Sequence, residues 1–579
     1  MTMLTKWGAA LDRSCPLPEY PRPQLRRESF YNLNGVWNYA VTPSGDEPGV
    51  WDGEIVVPFS PEAPLSGAAR GPAKDEYLHY RRGFTLPEGF QKSRVLLHFG
   101  AVDQIAEVFV NGVSAAKHSG GYWPFSADIT SLLREGENIL RVTVRDNADD
   151  PTFAYGKQRY KRGGMWYTAQ SGIWQTVWLE SVPEVYVKSL RITPEFDEAR
   201  VRIELETALE SSAAITCDVR AADGSFVAGS WAKGGVCVVP LPGFRAWTPD
   251  DPYLYTLDIT CGEDHVESYF AMRKFSYVEL DGHKVFGLNN APLFHNGLLD
   301  QGYYPDGLLT PPSDEAMVND IETMKRCGFN MLRKHIKIEP LRWYYHCDRL
   351  GMIVWQDMVS GGQPYSFLHV SALPTLGKVD LPDQDAKPYG RSGVLSRARF
   401  RREMADTVRL LYNCPCIALW TVFNEGWGQF DALDMANELK KLDPTRFIDH
   451  ASGWQDQGYE EMKSRHIYFR PVKLKNDGRA LALTEYGGYI LAVDGHRWTD
   501  KVFGYRICRN SAALAHDYEK LMLGQVLPHI RKEGLTAAVY TQITDVEEEL
   551  NGLMTYDREV LKIPEETLRE INAALRFDA

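Results

Sequence analysis

The stretch that decides the fold is IALWTVF, residues 417–423, which runs directly into NEGW at residues 424–427. A short apolar run that ends in polar residues and glycine is typical of a strand buried on both faces of a parallel sheet. A second run, ALT at residues 482–484, ends in the same way at Glu485. Buried strands that end in a carboxylate, an aromatic residue and glycine predict the C-terminal mouth of a (β/α)8 barrel, where such enzymes place their catalytic groups.

The two strand-end carboxylates are Glu425 and Glu485. One such glutamate alone is more often a helix cap or a partner in a surface ion pair. Two carboxylates on different strands of one barrel are what glycosidic bond cleavage requires, because one must donate a proton and the other must act as nucleophile or base. The pair therefore predicts a glycosidase site.

Around these two strands the sequence alternates between strand and helix patterns, which predicts a parallel sheet and a C-terminal TIM barrel over residues 278–579. An amphipathic helix is expected at 314–327, with Ser313 as its N-cap, and another at 399–412. Residues 360–396 are rich in Gly, Pro and Asp and are expected to form a loop over the barrel mouth or an excursion after the third strand. The eight expected strands are 292–298, 330–335, 352–357, 418–425, 447–451, 466–470, 482–485 and 538–545.

Two all-β segments precede the barrel. Residues 1–182 contain short alternating strands with an Asn111–Gly112 turn signal, which predicts an N-terminal jelly-roll β-sandwich. Residues 183–277 carry strands at the spacing of an immunoglobulin-like β-sandwich. The sequence thus predicts a multidomain β and α/β chain.

Composition excludes several classes of partner. The chain has 579 residues and a formal net charge of -13, so a nucleic-acid or anionic-membrane partner is disfavoured. No apolar run approaches the length of a membrane span. The N-terminus lacks the apolar core of a signal peptide. The nine cysteines form no disulfide or zinc framework and are interpreted as reduced thiols, which favours a cytoplasmic location.

Several motifs along nearly the whole chain resemble glycoside hydrolase family 2, the family of β-galactosidases, β-glucuronidases and β-mannosidases. The family's order of jelly roll, immunoglobulin-like sandwich and barrel matches the order predicted above. The motifs are NLNGVW (32–37), SGIWQTV (171–177), WTP (247–249), MRKF (272–275), GFNMLR (328–333), CDRLG (347–351), NCPCI (413–417), NE (424–425) and TEYG (484–487).

The resemblance implies a role for five residues. Glu425 is similar to the family's acid/base, and Glu485 to its nucleophile. Asn424 matches the asparagine that binds the sugar 2-OH. Arg333 and Tyr468 match the pair that orients the nucleophile, although Arg333 could equally form a structural ion pair below the mouth. Both side-chain types can donate hydrogen bonds to a carboxylate.

The resemblance also implies a wider set of substrate-binding positions at the strand ends. Tyr540 stands where relatives carry a tryptophan under the sugar. Trp427 is either a platform for the leaving group or a residue that packs the loop. The expected substrate-binding residues, besides Asn424, are His335, Asp357, Asp449, Trp454, His466, Tyr540 and Trp427.

Two departures from the family pattern bear on the substrate. Residues 549–554 (ELNGLM) lack the lysine with which β-glucuronidases hold the substrate carboxylate, so a glucuronide is disfavoured. Residues 356–361 lack the Glu-x-His magnesium ligands of large β-galactosidases, so no metal and no cofactor is expected. The acidic residues of the strand-eight region are expected mostly to face solvent; they are Asp545, Glu547, Glu548 and Glu549.

The sequence therefore predicts an exo-acting retaining β-glycosidase for a neutral small-molecule or oligosaccharide β-glycoside, with a β-galactosidase-like enzyme as the first choice. The alternatives on the same scaffold are β-mannosidase, β-glucuronidase and β-galactofuranosidase or arabinosidase activity. A carbohydrate-binding pseudoenzyme is the alternative without chemistry, and homo-oligomer formation stays open.

Overall fold

The computed structural model describes residues 3–209, 214–376 and 380–577. Its first part is a β-sandwich with sheet orders β1-β14-β5-β9 and β3-β2-β4-β10-β7-β8, and its core lies between the two sheets. The strands are Tyr31–Asn32 (β1), Gly35–Thr42 (β2), Gly53–Val57 (β3), Tyr77–Thr85 (β4), Arg94–Phe99 (β5), Val102–Asp103 (β6), Ile105–Val110 (β7), Val113–Ser119 (β8), Phe125–Asp128 (β9), Glu137–Arg145 (β10), Gln158–Arg159 (β11), Tyr167–Thr168 (β12), Gly172–Ile173 (β13) and Val177–Val182 (β14).

The second sandwich has a three-stranded sheet, β15-β16-β19, and a four-stranded sheet, β18-β17-β20-β21. Burial alternates along β16 and β20, because successive side chains of a strand point to opposite faces of its sheet. The strands are Val187–Glu195 (β15), Arg200–Thr207 (β16), Ala214–Arg220 (β17), Phe226–Lys233 (β18), Val236–Pro240 (β19), Tyr255–Cys261 (β20) and Asp264–Phe270 (β21). A small antiparallel sheet follows, made of Phe275–Leu280 (β22), His283–Leu288 (β23) and Ala291–Pro292 (β24).

Eight parallel strands form a nearly closed barrel in the order β29-β28-β27-β26-β25-β34-β31-β30. All eight predicted strands are present, although their bounds move. The barrel strands are His295–Asp300 (β25), Met331–Lys334 (β26), Ile353–Asp357 (β27), Ile417–Thr421 (β28), Phe447–Asp449 (β29), Met462–Ile467 (β30), Ala480–Gly487 (β31) and Leu535–Thr541 (β34), and Tyr489–Ile490 (β32) pairs with Arg506–Ile507 (β33) in the loop after β31.

The helices around the barrel begin and end close to the predicted positions. Ser313 caps its helix as expected, since its hydroxyl oxygen accepts a hydrogen bond from the Ala316 amide at 3.2 Å. The helix predicted at 399–412 begins earlier, at Val394. The helices are Lys6–Ala9 (α1), Asp314–Arg326 (α2), Leu341–Leu350 (α3), Leu373–Thr375 (α4), Val394–Leu411 (α5), Ala432–Leu442 (α6), Ser511–Leu521 (α7), Leu527–Glu533 (α8) and Glu565–Ala573 (α9).

Two strand ends differ from the prediction in a way that shapes the mouth. The strand expected at 418–425 ends at Thr421, and Glu425 lies beyond it with a left-handed φ of 55°. The strand expected at 466–470 runs from Met462 to Ile467. The apolar run continues past Thr421 because the chain stays buried after it leaves the sheet, so hydrophobicity alone does not mark the strand's end.

A loop of the first sandwich docks on the barrel mouth. The amides of Tyr155 and Gly156 donate to the carbonyl of Ser360 at 3.1 and 2.9 Å. Gly156 has a φ of 64°, and a Cβ at this position would lie 3.0 Å from the Ile336 carbonyl oxygen. The docked segment therefore requires glycine at this contact, and it brings side chains of the first sandwich to the ends of β26 and β27.

Within the described ranges, no helix is long and apolar enough to cross a membrane.

Candidate active site

Glu485, on β31, is held by a hydrogen-bond donor at each carboxylate oxygen. Arg333 Nη1 donates to Oε1 at 3.1 Å, and the Tyr468 hydroxyl donates to Oε2 at 2.5 Å. The Tyr468 hydroxyl also lies 3.0 Å from the Thr541 hydroxyl at the end of β34. The two donors hold the Glu485 carboxyl group in one orientation at the barrel mouth.

Arg333 is the central cation of this cluster and is completely buried. It forms two hydrogen bonds to Asp357, both at 3.0 Å, and donates to the Asn424 side-chain oxygen at 2.8 Å. Burial alone would raise the pKa of Asp357, but the charge of Arg333 and a 2.8 Å contact with His335 hold that pKa at about 2. The guanidinium thereby fixes the positions of Glu485 and Asn424 together.

Glu425 lies in a tight turn after β28. Its backbone amide donates to the Ser452 carbonyl at 2.9 Å, and its own carbonyl accepts from Trp454 Nε1 at 2.9 Å. Burial raises the pKa of the Glu425 carboxyl, and the positive charges of Lys157 and Arg333 oppose that shift. A carboxyl group with a raised pKa retains its proton nearer to neutral pH, as a general acid must.

His466 stands between the two glutamates. Its Nδ1 lies 2.8 Å from Glu425 Oε1 and 3.6 Å from Glu485 Oε2. On the other side of the ring, Nε2 lies 3.2 Å from the Ser452 hydroxyl. Burial lowers the pKa of His466 to about 3, so the imidazole is neutral at pH 7. A neutral ring in this position orients Glu425 without adding a charge between the carboxyl groups.

The two carboxyl groups are close together. One oxygen of Glu425, one oxygen of Glu485 and a ring nitrogen of His466 lie within 4.8 Å of one another. Retaining glycosidases hold their carboxyl groups about 5–5.5 Å apart, whereas inverting enzymes leave roughly 6.5–9.5 Å for a water molecule. An oxygen-to-oxygen distance of at most 4.8 Å favours the shorter, retaining arrangement. The same three side chains could hold a metal ion, so the expectation of a metal-free site stays a prediction.

The structure brings most of the predicted site residues into one cluster around the mouth. Glu425, Glu485, Asn424, Arg333 and Tyr468 are connected as described. Asp357, His466 and Trp454 contact members of this set directly, and His335 contacts Asp357.

Three predicted site residues make no side-chain hydrogen bond to the two glutamates, Asn424 or Arg333. Tyr540 is fully buried, and its ring packs against Tyr486 and against Tyr518 of α7. Because neighbouring strand residues point to opposite faces, Thr541 faces the cluster and Tyr540 faces the helices instead of the sugar site. Asp449 is also completely buried and accepts a hydrogen bond from Ser464 at 3.0 Å, beside the seam between β29 and β30.

The third residue, Trp427, packs between the barrel and the first sandwich. Its ring lies 5.0 Å from that of Trp166 and 5.8 Å from that of Tyr155. It is almost completely buried, so it serves the packing of the loop and not the exposed platform that the resemblance also allowed.

The acidic residues after β34 also differ from the expectation that most face solvent. Asp545 is buried in an ion pair with Lys562 at 2.6 Å, and Glu547 is buried with the Thr168 amide at 2.8 Å. Glu549 is buried near the active site, and its Oε2 accepts a hydrogen bond from the Tyr167 hydroxyl at 2.5 Å. The first sandwich supplies the partners of Glu547 and Glu549, which the sequence around the acids does not reveal.

Four residues near Glu425 and Glu485 were not predicted as site residues from the sequence. Ser452 and Thr541 contact His466 and Tyr468, and Lys157 and Glu549 lie on the side of the first sandwich. Lys157 has no motif around it that would mark it as a site residue. For Glu549 the signal was present, because it is the first residue of the segment 549–554, which corresponds to the one in which β-glucuronidases carry substrate-binding residues, but its inward direction was not visible.

A barrel with two neighbouring glutamates at its C-terminal mouth, preceded by two β-sandwiches, is typical of glycoside hydrolases. Three family models match the chain: the sugar-binding domain of glycosyl hydrolases family 2 at residues 64–183, the glycosyl hydrolases family 2 domain at 185–273, and the family 2 TIM barrel domain at 310–474. The chain therefore belongs to glycoside hydrolase family 2, as the resemblance predicted.

Individual relatives are distant. A β-galactosidase of Thermoanaerobacter pseudethanolicus is 25% identical over 387 residues, covering 63% of this chain and 47% of that protein. A β-glucuronidase of Paenibacillus borealis is 23% identical over 536 residues, covering 82% of this chain and 85% of that protein. The chain spans less than half the length of the β-galactosidases it matches.

Among solved structures, a β-glucuronidase from an uncultured Clostridium sp. superposes with a TM-score of 0.74 at 19% identity, covering 95% of this chain and 99% of that one. Likeness at this level of identity concerns the fold. The relatives thus include enzymes named for neutral sugars and enzymes named for uronic acids.

Proposed function

We propose that this protein is an exo-acting retaining β-glycosidase that hydrolyses a neutral β-glycoside, with a β-galactoside as the expected substrate. The observation that carries the proposal is the closeness of the Glu425 and Glu485 carboxyl oxygens, within 4.8 Å, with separate sets of partners. One carboxyl has a pKa raised by burial, and the other is hydrogen-bonded at both oxygens. These are the environments that an acid and a nucleophile need at the same pH.

In the first step, a Glu485 oxygen attacks the anomeric carbon while Glu425 donates its proton to the leaving oxygen. The bond to the aglycon breaks, and a covalent glycosyl–Glu485 ester forms. In the second step, Glu425 removes a proton from water, which attacks the anomeric carbon and releases Glu485. Asn424, which is held by Arg333, is positioned to bind the 2-OH as positive charge develops on the sugar ring.

The proposal predicts retention of anomeric configuration. Two inversions at the anomeric carbon give a β-configured sugar as the first product, because each step attacks from the opposite face. Proton NMR of the reaction within the first minutes measures this, with the wild-type protein and a nitrophenyl β-glycoside. An α anomer that appears before mutarotation would contradict the double-displacement mechanism.

A second candidate is a uronide hydrolase. Relatives named β-glucuronidases support it, and so does Lys157, a cation that the first sandwich places near Glu425 and His335. The absence of a lysine from residues 549–554 and the buried carboxyl group of Glu549 favour a neutral sugar, because a uronate would lie near another acidic group.

The two candidates predict opposite substrate preferences. We expect kcat/KM for a nitrophenyl β-glucuronide to be lower than for the best neutral glycoside in a panel of galactoside, mannoside, arabinoside and galactofuranoside. The reason is the desolvation of a carboxylate beside Glu549. Initial rates at low substrate concentration give the ratio. A glucuronide preferred by about tenfold or more, roughly 1.4 kcal/mol in the barrier, would reverse the assignment.

A further inference from the structure

Lys157 belongs to the first sandwich but lies at the barrel mouth. The preceding residue, Gly156, donates its amide to Ser360 after β27 and lies against the Ile336 carbonyl after β26. The Lys157 carbonyl accepts a hydrogen bond from the Tyr167 amide at 2.9 Å, which ties the segment to β12. The backbone of Lys157 is therefore held between the sandwich and two strand ends of the barrel.

Lys157 is largely buried, and its ammonium group has no hydrogen-bonding partner among the described residues. The residue is 8% exposed, and within residues 3–209, 214–376 and 380–577 its nitrogen makes neither a hydrogen bond nor an ion pair within 4.0 Å. The Trp166 ring, 5.6 Å away, provides a cation–π contact but accepts no conventional hydrogen bond. The ammonium group therefore depends on water for its hydrogen bonds, and a polar group of a ligand that enters the mouth can replace that water.

Glu549 is the acidic counterpart on the same side of the site. It is 4% exposed, and its two oxygens accept hydrogen bonds from Tyr167 at 2.5 Å and from Asn551 at 3.2 Å. A carboxylate has about four acceptor positions, so it can accept further hydrogen bonds. Burial raises the pKa of the Glu549 carboxyl group, the hydrogen bond from Tyr167 and the charge of Lys157 lower that pKa, and the charge of Glu485 raises it further.

We propose that Lys157 and Glu549 together bind a hydroxyl group of the neutral sugar, with the ammonium donating to the hydroxyl oxygen and the carboxylate accepting its hydrogen. A hydroxyl suits the pair because it accepts and donates at once. Lys157 Nζ and the Glu549 carboxylate oxygens are more than 4.0 Å apart, so the two groups form no ion pair with each other. This inference rests on the proposed function and deepens it, since opposite charges that cancel favour a neutral sugar over a uronate.

The test combines protein variants with substrates that lack single hydroxyls. Lys157→Met and Glu549→Gln are compared with the wild type on the best nitrophenyl glycoside of the panel and on its 3-, 4- and 6-deoxy analogues. We expect each substitution to lower kcat/KM by roughly 10- to 100-fold on the parent glycoside, as for a lost hydrogen bond to a charged group. On the analogue that lacks the bound hydroxyl, the same substitutions should change kcat/KM by less than about threefold. Lys161→Met, an exposed lysine on the same loop, is the matched control and should match the wild type on every substrate.

Two results would overturn the inference. Equal losses on the parent and on all deoxy analogues would mean that the two residues serve only the structure of the loop. A wild type that prefers the glucuronide, together with a loss of that preference in Lys157→Met, would make Lys157 a carboxylate-binding residue.

Isothermal titration calorimetry with the free monosaccharide of the preferred glycoside distinguishes a failure of this inference from a failure of the proposed function. If the wild type hydrolyses no glycoside, the proposed function fails, while weaker sugar binding by Lys157→Met would still support the lysine's role. Equal binding by the wild type and the variant, or no binding by either, would contradict that role.

Discussion

Glu485→Gln is expected to lower kcat by about 10⁴-fold or more on every glycoside, because the amide cannot form the glycosyl ester. The substitution keeps the shape of the side chain and removes the charge opposite Arg333. Stopped assays with nitrophenyl glycosides measure the loss. Intact-mass spectrometry after incubation with a 2-deoxy-2-fluoro glycoside should show a covalent adduct on the wild type and none on the variant.

The control for this experiment is Glu460→Gln, which removes the same charge from an exposed position outside the site. It should keep wild-type activity and form the adduct. Thermal unfolding of both variants shows whether the fold persists after Arg333 loses one of its partners. A Glu485→Gln protein that folds and still forms the adduct would contradict the assignment of the nucleophile.

Glu425→Ala is expected to have an effect that depends on the leaving group. For an alkyl glycoside, whose leaving oxygen needs a proton, the first step should slow by about 10²- to 10⁴-fold. For a dinitrophenyl glycoside, which departs as a stable anion, that step should slow much less. Comparing kcat/KM for the two substrates, in the wild type and the variant, measures the difference, because kcat/KM reports on the first step.

Sodium azide provides a separate check on the acid/base. In Glu425→Ala, the small anion can enter the vacated space and attack the glycosyl ester, so rates should recover and a β-glycosyl azide should form. If azide instead rescues Glu485→Ala and yields that same β product, the roles of the two glutamates are reversed. Thin-layer chromatography and NMR of the product distinguish these outcomes.

The sequence by itself determined the architecture and was enough to predict which two glutamates meet at the barrel mouth. Barrel strands such as β28 and β31 are buried on both faces, so they appear as apolar runs, and the polar residues that end them stand out. Carboxyl ends of parallel strands meet at one rim of a barrel, so Glu425 and Glu485 could be assigned to one site without knowledge of any contact.

The direction of individual side chains was decided only by the tertiary structure. A strand buried on both faces does not reveal which residues point inward, and for that reason Tyr540 was predicted at the site where Thr541 stands. The exact end of β28 was equally hidden, since the chain beyond Thr421 remains buried.

Contacts between distant parts of the chain were likewise decided only by the tertiary structure. The Arg333–Glu485 hydrogen bond joins residues 152 positions apart, and the Tyr167–Glu549 bond joins residues 382 positions apart. The family pattern predicted the first of these contacts, but no local pattern marks the second. Lys157 reaches the barrel mouth only because the first sandwich packs there. Packing between two folded domains produces no periodic pattern in the sequence.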